Sequence, residues 1–429
     1  MGLLLTLLYV ALSHLCVTDM FPKLGALRIM LWLAFAALLA SVPSVVNGKF
    51  PFRAPQVSLM FGLFAAIPLS CLAHFWFGGA LSALELFLPA GVVFFLVVAN
   101  VTTLPRLRLL IIVFVGTCLF LLCRSVAAYY AGDPASDLLL QQAVGWNPAI
   151  GDYAGTLTRI RALGLLSDPN DFAQCLLTAL PFLGLAWRSG RHVRNFIFVL
   201  APASFVLYGV YLTHSRGAVV GLGTIFLLVF LKRLGKTRSI IVAVVLVALL
   251  MSPFGGARDT SLNEGGAGRL VLWGTGISFL ISSPIYGIGY RHFEESSDLT
   301  AHNSYVLCFS ELGLIGYFFW LGLIVFTVTD LNRVIHALQE SGEGNERLRY
   351  GKVLRASLFA FLVTAWFLSR TYTVTIYLIL GMAVAFIRMP QEEPLESPDP
   401  TYSQWKLTMA VELGSVVLVY AFVKLRLLS

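Results

Sequence analysis

The chain has 429 residues, of which 58% are hydrophobic and only 12% charged, and its mean hydropathy is +0.82. Soluble domains carry about 25% charged residues, so this composition excludes an ordinary soluble globular protein. The net charge of +8 would suit a nucleic-acid partner, but the basic residues concentrate in short loops between apolar runs. Membrane topology explains that distribution better, and no nucleic acid is expected as a partner.

Apolar runs recur along the whole chain, and each is long enough to cross a bilayer as a helix. The pattern predicts an all-α polytopic membrane protein, a single helical domain over residues 1–429 with about twelve transmembrane helices. They are predicted at 3–17, 25–46, 56–76, 80–100, 108–128, 172–187, 195–212, 218–231, 239–253, 304–328, 353–369 and 373–388. A further apolar run at 406–424 is either a thirteenth span or an interfacial helix.

The orientation of these helices follows from the basic residues between them. Basic side chains cluster in the loops 188–194, 232–238 and 330–352. The positive-inside rule assigns these loops to the cytoplasm, together with the acidic, proline-rich linker 389–405. The segments on the opposite, outer side are then two sizeable loops, 129–171 and 254–303, and two short turns, 213–217 and 370–372.

The second outer loop contains a candidate anion site. Arg269 follows a glycine-rich stretch and precedes the apolar segment Leu270–Leu280, which is predicted to form a short helix along the outer interface. Free backbone N–H groups at a helix N-terminus favour anions, and the planar fork of arginine binds two phosphate oxygens at once. Arg269 is therefore a candidate pyrophosphate ligand. The alternative is an arginine that only reaches the lipid headgroups.

The same loop ends in the segment Ala301–Tyr305, where it meets a long apolar helix. A neutral imidazole at His302 could accept a proton from a sugar hydroxyl. Asn303 could cap the helix or orient a sugar. Glu311, two to three turns further on, is an acid inside a predicted span and hence a candidate functional residue. The alternative for His302 is a structural histidine at the interface.

Arginines also reach the outer side in the other loops. Arg216 lies in the tight turn Thr213–Gly217 between two helices, and so must point into the outer mouth of the bundle. Arg161 precedes the helix-start signal Asp168-Pro169-Asn170-Asp171, and Arg370 lies in the last outer turn.

Neither a metal nor a cofactor is predicted. Asp168 and Asp171 have a spacing that could bind a divalent cation, but no third acid is close in sequence, and capping explains the pair. The six cysteines lie within apolar runs and lack the spacing of a metal site.

These motifs occur together, in this order, in one known family. The set comprises Gly164-Leu165-Leu166-Ser167-Asp168-Pro169-Asn170-Asp171, Ser215-Arg216-Gly217, Arg269 with Trp273, Pro284…Gly287-Ile288-Gly289, and His302-Asn303-Ser304-Tyr305…Glu311-Leu312-Gly313…Gly316. Over roughly residues 150–320 the chain resembles the O-antigen ligase and O-antigen polymerase superfamily. The ordered set is specific for the superfamily but leaves ligase and polymerase open.

The resemblance implies a metal-independent, inverting glycosyltransferase of the bacterial inner membrane, without a cofactor, whose active site faces the periplasm. The donor would be a glycan on undecaprenyl pyrophosphate. Ligases transfer it to the lipid A core oligosaccharide, polymerases to another carrier-linked repeat, and relatives to protein side chains. Arg216 and Arg269 would hold the donor pyrophosphate, and His302 would act as base on the acceptor hydroxyl. The residues expected to line the same cavity are Arg161, Asp168, Asn170, Asn303, Tyr305 and Arg370.

Ligation to the lipid A core is the favoured interpretation, and two other classes of protein remain open. A transporter or flippase for lipid-linked sugars would also need arginines near the headgroups. It should, however, show polar or broken helices at mid-membrane and two pseudo-symmetric halves, and the sequence has no clear inverted repeat. A structural membrane scaffold would leave the shared order of the motifs unexplained.

Overall fold

The computed structural model describes residues 1–48, 50–133, 135–147, 152–228, 266–340, 345–389 and 402–427. Nearly all of the secondary structure is helical. In chain order the elements are α1 (Gly2–Leu15), α2 (Val17–Met20), α3 (Pro22–Ala26), α4 (Ile29–Val46), α5 (Pro55–Leu72), α6 (Phe77–Asn100), α7 (Leu104–Ala131), β1 (Leu139–Asn147), β2 (Asp152–Ile160), α8 (Pro169–Leu183), α9 (His192–Asn195), α10 (Ala201–Leu212), α11 (Arg216–Leu228), α12 (Gly266–Ser282), α13 (His292–Ser297), α14 (Ser304–Glu340), α15 (Asn345–Thr364), α16 (Val374–Ile387) and α17 (Tyr402–Leu427).

The prediction of an all-α polytopic membrane protein is confirmed. Seven helices in the described ranges are long and apolar enough to cross a membrane: α4, α5, α6, α7, the continuous run His192–Leu212, α14 and α17. Shorter apolar helices accompany them. The predicted run 406–424 lies within α17 and is thus one of the seven. The predicted helix 239–253, the basic loop 232–238 and most of the linker 389–405 lie outside the described residues.

The bundle is organised around α16, whose residues Val374–Phe386 are all buried. A helix that is apolar on every side is stable only when other helices surround it. Here α6, α14 and α15 pack against it. By contrast, α4 and α17 lie at the periphery and expose large apolar side chains such as Trp32, Phe35 and Val417. An outward apolar surface of this kind suits lipid chains.

The first long loop, 129–171, contains regular secondary structure. It contains the antiparallel hairpin β1–β2, in which Leu139 pairs with Ile160 and Asn147 with Asp152. The sequence prediction missed this hairpin. Thr156, Thr158 and Ile160 are β-branched residues of the kind enriched in strands, and they are the signal that could have indicated it.

The second long loop also contains more structure than expected. The predicted short helix Leu270–Leu280 is part of the longer α12, which packs against the first turns of α14 and against α17. The indole nitrogen of Trp273 donates to the carbonyl oxygen of Ala301 at 3.1 Å, and the Ser310 hydroxyl donates to the Gly276 carbonyl at 3.0 Å. Thus α12 runs beside the start of α14. Its position at a membrane interface stays a prediction.

The long helix α14 is broken at Gly313, whose φ of 62° and ψ of −169° are not helical. The break frees backbone groups that a helix would otherwise pair. The segment 284–289 supplies their partners. Ile288 and Gly289 donate to the carbonyls of Ser310 and Glu311 at 2.9 and 3.0 Å, and Leu314 donates to the carbonyl of Pro284 at 2.9 Å. Each of these backbone groups is therefore hydrogen-bonded in spite of the break.

The side chain of Glu311 reinforces this attachment. It is 2% exposed, and its Oε1 accepts a hydrogen bond from the backbone N–H of Phe293 at 3.3 Å. His74, beyond α5, contacts the Gly287 carbonyl oxygen through Nε2 at 2.7 Å. The acid that the sequence marked as a functional candidate therefore has a structural partner in the loop that leads to the His302 turn.

We expect Gly313→Ala and Gly287→Ala to lower the thermal unfolding midpoint of the protein in detergent. Both positions have positive φ, 62° and 69°, and a Cβ at either one would overlap the backbone of the opposite segment. Occupying such a backbone region costs about 1–3 kcal/mol per residue before any overlap is counted. Gly116→Ala in α7 is the matched control, because a Cβ there meets nothing within 4 Å. Equal midpoints for all three variants would contradict this account of the break.

Candidate active site

The turn 301–305 presents His302 at the start of α14. Asn303 caps this helix: its Oδ1 accepts hydrogen bonds from the backbone N–H groups of Tyr305 and Val306 at 2.9 and 3.1 Å. Asn303 is fully buried, so of the two roles considered for it, the cap is the one the structure shows. His302 is partly exposed. Its φ of 49° lies in the left-handed region, so the chain turns sharply at this residue.

Tyr305, expected to line the substrate cavity, points its hydroxyl into the bundle. The hydroxyl donates to the carbonyl oxygen of Leu362 at 3.0 Å, and the ring contacts Trp366 with centroids 5.6 Å apart. These contacts fasten the start of α14 to the end of α15. In this structure Tyr305 supports the turn from within.

The turn 368–373 packs directly against the His302 turn. The Ser304 hydroxyl donates to the Leu368 carbonyl oxygen at 2.5 Å and accepts from the Arg370 backbone N–H at 2.7 Å. The Thr371 hydroxyl donates to the Ser304 carbonyl oxygen at 2.7 Å. Three hydrogen bonds therefore set the position of the residue two places after His302.

The guanidinium group of Arg370 is bound by the carboxylate of Asp171. Nε donates to Oδ1 and Nη2 donates to Oδ2, so the pair is bidentate. The Asp171 side chain is only 2% exposed, whereas that of Arg370 is 31% exposed. A buried carboxylate is tolerated when an arginine fork satisfies both oxygens. This pair joins the turn 168–171 to the turn 368–373.

The other residues of the turn 168–171 also have protein partners. Asp168 caps α8, since its Oδ1 accepts from the Asn170 backbone N–H at 2.6 Å. The Asn170 side-chain oxygen accepts from Nη2 of Arg159 at 3.0 Å. Asp168 and Asp171 are the two carboxylates whose spacing could suit a divalent cation, and both accept hydrogen bonds from protein donors. The described residues include no group of three or more His, Cys, Asp or Glu side chains that could hold a metal ion.

Arg159 is the buried arginine of this region, and sequence reasoning passed over it in favour of Arg161. Arg159 is 4% exposed. Besides Asn170 it binds the Thr213 carbonyl oxygen through Nε at 2.7 Å and Gln142 Oε1 through Nη1 at 3.2 Å. Arg161 is partly exposed and donates to backbone oxygens of the loop, Asp137 at 2.9 Å and Ser167 at 3.4 Å.

Arg216 and Arg269 lie at the first turns of two helices that reach this end of the bundle. Arg216 is exposed and begins α11, directly after the turn whose Thr213 is held by Arg159. Gly217 lies against Phe367, which precedes the turn 368–373. Arg269 is partly exposed and precedes Trp273 by four residues, or about one helical turn. Trp273 in turn donates to Ala301, the residue before His302.

Four turns, 168–171, 213–217, 301–305 and 368–373, are therefore linked by hydrogen bonds, either directly or through Arg159, and are called the four-turn cluster. Arg159, Arg370, and Ser304 carry the hydrogen bonds between them. The cluster brings together the segments that carry Arg216, His302, and Arg370. The distance between the guanidinium groups of Arg216 and Arg269 stays a prediction.

Fold and site together define a polytopic helical membrane protein in which four linked turns carry Arg216, His302 and Arg370. Residues 201–321 match the family model described as O-antigen ligase. This match supports the place of the chain in the O-antigen ligase and polymerase superfamily, whose members are glycosyltransferase-like enzymes. It includes Arg216, Arg269 and the His302 turn but not the turn 168–171. No curated protein matches the chain.

Proposed function

We propose that this protein transfers a glycan from an undecaprenyl-pyrophosphate carrier to an acceptor hydroxyl on the periplasmic side of the bacterial inner membrane. Ligation of O-antigen to the lipid A core oligosaccharide is the favoured reaction. The observation that carries the proposal is the four-turn cluster, in which the turns bearing Arg216 and His302 are joined through Arg159 and Arg370. The family match over residues 201–321 supports the same class of reaction.

In the proposed reaction the acceptor oxygen attacks the anomeric carbon of the donor sugar from the face opposite the pyrophosphate. The new glycosidic bond forms as the bond between the anomeric carbon and the phosphate oxygen breaks, with inversion. His302 takes the acceptor proton, and the pyrophosphate leaves with the bonding electron pair. Its growing charge is stabilised by Arg216 and Arg269, which fixed guanidinium groups can do strongly where water is scarce. Pyrophosphate is a good leaving group, so no strong general acid is needed.

Polymerisation of carrier-linked repeats and transfer to protein hydroxyls are alternatives that use the same chemistry. They differ only in the acceptor. A lipid-linked sugar transporter is the alternative of another class, and it would move the intact donor between leaflets without breaking the glycosidic phosphate bond.

Purified protein in sealed vesicles distinguishes these reactions. We expect a fluorescent glycan on undecaprenyl pyrophosphate to be converted to labelled lipid A core when the core acceptor is supplied in the same leaflet. Growth of the carrier-linked glycan without acceptor would identify a polymerase, and labelling of an added protein would identify a protein glycosyltransferase. Movement of unreacted donor to the other leaflet, detected by a membrane-impermeant quencher, with no transfer to any acceptor would overturn the proposal.

A further inference from the structure

Two adjacent residues of the turn 168–171 bind arginines that come from different parts of the chain. The Asn170 side chain accepts from Arg159, at the end of β2, and the Asp171 carboxylate accepts from Arg370, between α15 and α16. Consecutive residues have one peptide unit between them, so neither contact can shift far without the other. This pair of residues is therefore a rigid junction between two arginines.

One side of the junction leads to the turn that carries Arg216. Arg159 is 4% exposed and divides its donors among three segments: Gln142 on β1, Asn170, and the carbonyl oxygen of Thr213. Thr213 lies three residues before Arg216 in a turn of only five residues. Because so short a turn has few conformations, a displaced Thr213 carbonyl would move the base of the Arg216 side chain.

The other side leads to the turn that carries His302. The carboxylate of Asp171 holds the Arg370 guanidinium, and the backbone N–H of the same arginine donates to the Ser304 hydroxyl at 2.7 Å. Thr371 adds a hydrogen bond to the Ser304 carbonyl oxygen at 2.7 Å. The ion pair therefore fixes the backbone against which the His302 turn rests.

Building on the proposed function, we infer that Arg159 and the Asp171–Arg370 pair are positioning groups that set the donor-binding turn and the base-carrying turn relative to each other. Arg159 acts on the donor side, through Thr213 and Arg216. The Asp171–Arg370 pair acts on the base side, through Ser304 and His302. Neither arginine touches the reacting atoms. This gives Arg370 a role different from the substrate contact that its place in the outer turn suggested.

The test is a comparison of steady-state constants for the labelled undecaprenyl-pyrophosphate donor. Arg159→Lys keeps the charge but cannot bind three acceptors in one plane. It should raise KM for the donor at least about tenfold and also lower kcat, because a displaced Arg216 contacts the pyrophosphate less well both before and during bond cleavage. Asp171→Asn and Arg370→Lys should lower kcat by up to about a hundredfold, the order of loss expected for misplacement by about 1 Å, with KM for the donor nearly unchanged.

Arg333→Lys is the control, since Arg333 also pairs with an aspartate, Asp330 at 3.2 Å, but does so near the other end of α14. It should leave both constants as in the wild type. Thermal unfolding in detergent identifies any variant that fails to fold, and for such a variant Asn170→Ser or Asp171→Glu, with smaller changes, replaces it. The kcat loss of Asp171→Asn should be partly restored in Asp171→Glu, which again supplies two oxygens to Arg370.

Equal effects of the Arg159 and Asp171 variants on KM and kcat, in variants that unfold at the wild-type temperature, would overturn the inference. Unchanged constants in all of them would do the same. These outcomes are separate from failure of the proposed function, which is measured by His302→Ala and Arg216→Ala. If those two variants lose transfer but the Arg159 and Asp171 variants do not differ in their effect on the donor KM, the proposed reaction is retained and the positioning role is rejected.

Discussion

Purified protein carrying His302→Ala is expected to bind the undecaprenyl-pyrophosphate-linked donor and to lose transfer by about a hundredfold to ten-thousandfold, the usual contribution of a general base. Binding should persist because the pyrophosphate contacts are assigned to arginines and not to the imidazole. His302→Asn is a useful second variant, since asparagine tolerates the left-handed backbone observed at this position, where φ is 49°. Loss of activity in both variants therefore cannot come from backbone strain alone.

His336→Ala is the control for the histidine variants. His336 lies near the other end of α14, 71% exposed, next to Glu340. Wild-type turnover should also fall on acidification, because a protonated imidazole cannot accept the acceptor proton. Near-normal turnover by His302→Ala would show that another group removes the proton.

Replacing Arg216 or Arg269 with alanine is expected to abolish transfer while the protein still inserts into the membrane. Loss of one charged donor to a developing anion costs about a hundredfold to a thousandfold in kcat. Lysine should restore little, because a point charge cannot reproduce two parallel hydrogen bonds. Arg53→Ala, an exposed arginine between α4 and α5, is the control. Full activity of either alanine variant would remove that arginine from the pyrophosphate site.

The helices were the most predictable part of this protein. Continuous apolar runs define them, and every predicted run that falls in the described ranges is occupied by a helix. The cap at Asn303 and the helix start at Asp168 were also legible, because capping is a local interaction within three residues. Local chemistry of this kind does not depend on the rest of the fold.

The break in α14 could not be read from the same pattern. The run 304–328 is apolar apart from Ser304, Ser310, Glu311 and Thr327, so hydropathy predicts one straight helix across Gly313. What breaks it is a partner distant in sequence: segment 284–289 offers donors and acceptors to the freed backbone groups. A glycine within an apolar run permits such a break but does not by itself predict one.

The partners of the arginines were equally beyond the sequence. Arg159 binds a carbonyl 54 residues away, and Arg370 binds a carboxylate 199 residues away. Sequence reasoning selected Arg161 and Arg370 as cavity residues because both lie in loops predicted to face the outer side. It had no means of distinguishing an arginine that faces a ligand from one already satisfied by the protein. Because the hairpin β1–β2 was not predicted, the burial of Arg159 at its end could not be predicted either.

The length of α14 has a consequence for the lipid around the protein. Its 37 residues would span about 55 Å as one unbroken helix, while the hydrocarbon core of a bilayer is about 30 Å thick. From Gly313, held by segment 284–289, to Asp330, which accepts a hydrogen bond from Gln56 at 2.7 Å, the helix covers about 26 Å. Ser304 then stands about 14 Å further along the chain. On the proposed topology this spacing sets the height of the His302 turn above the acyl chains, and the thickness of the host bilayer becomes part of what determines whether a lipid-borne headgroup can meet it.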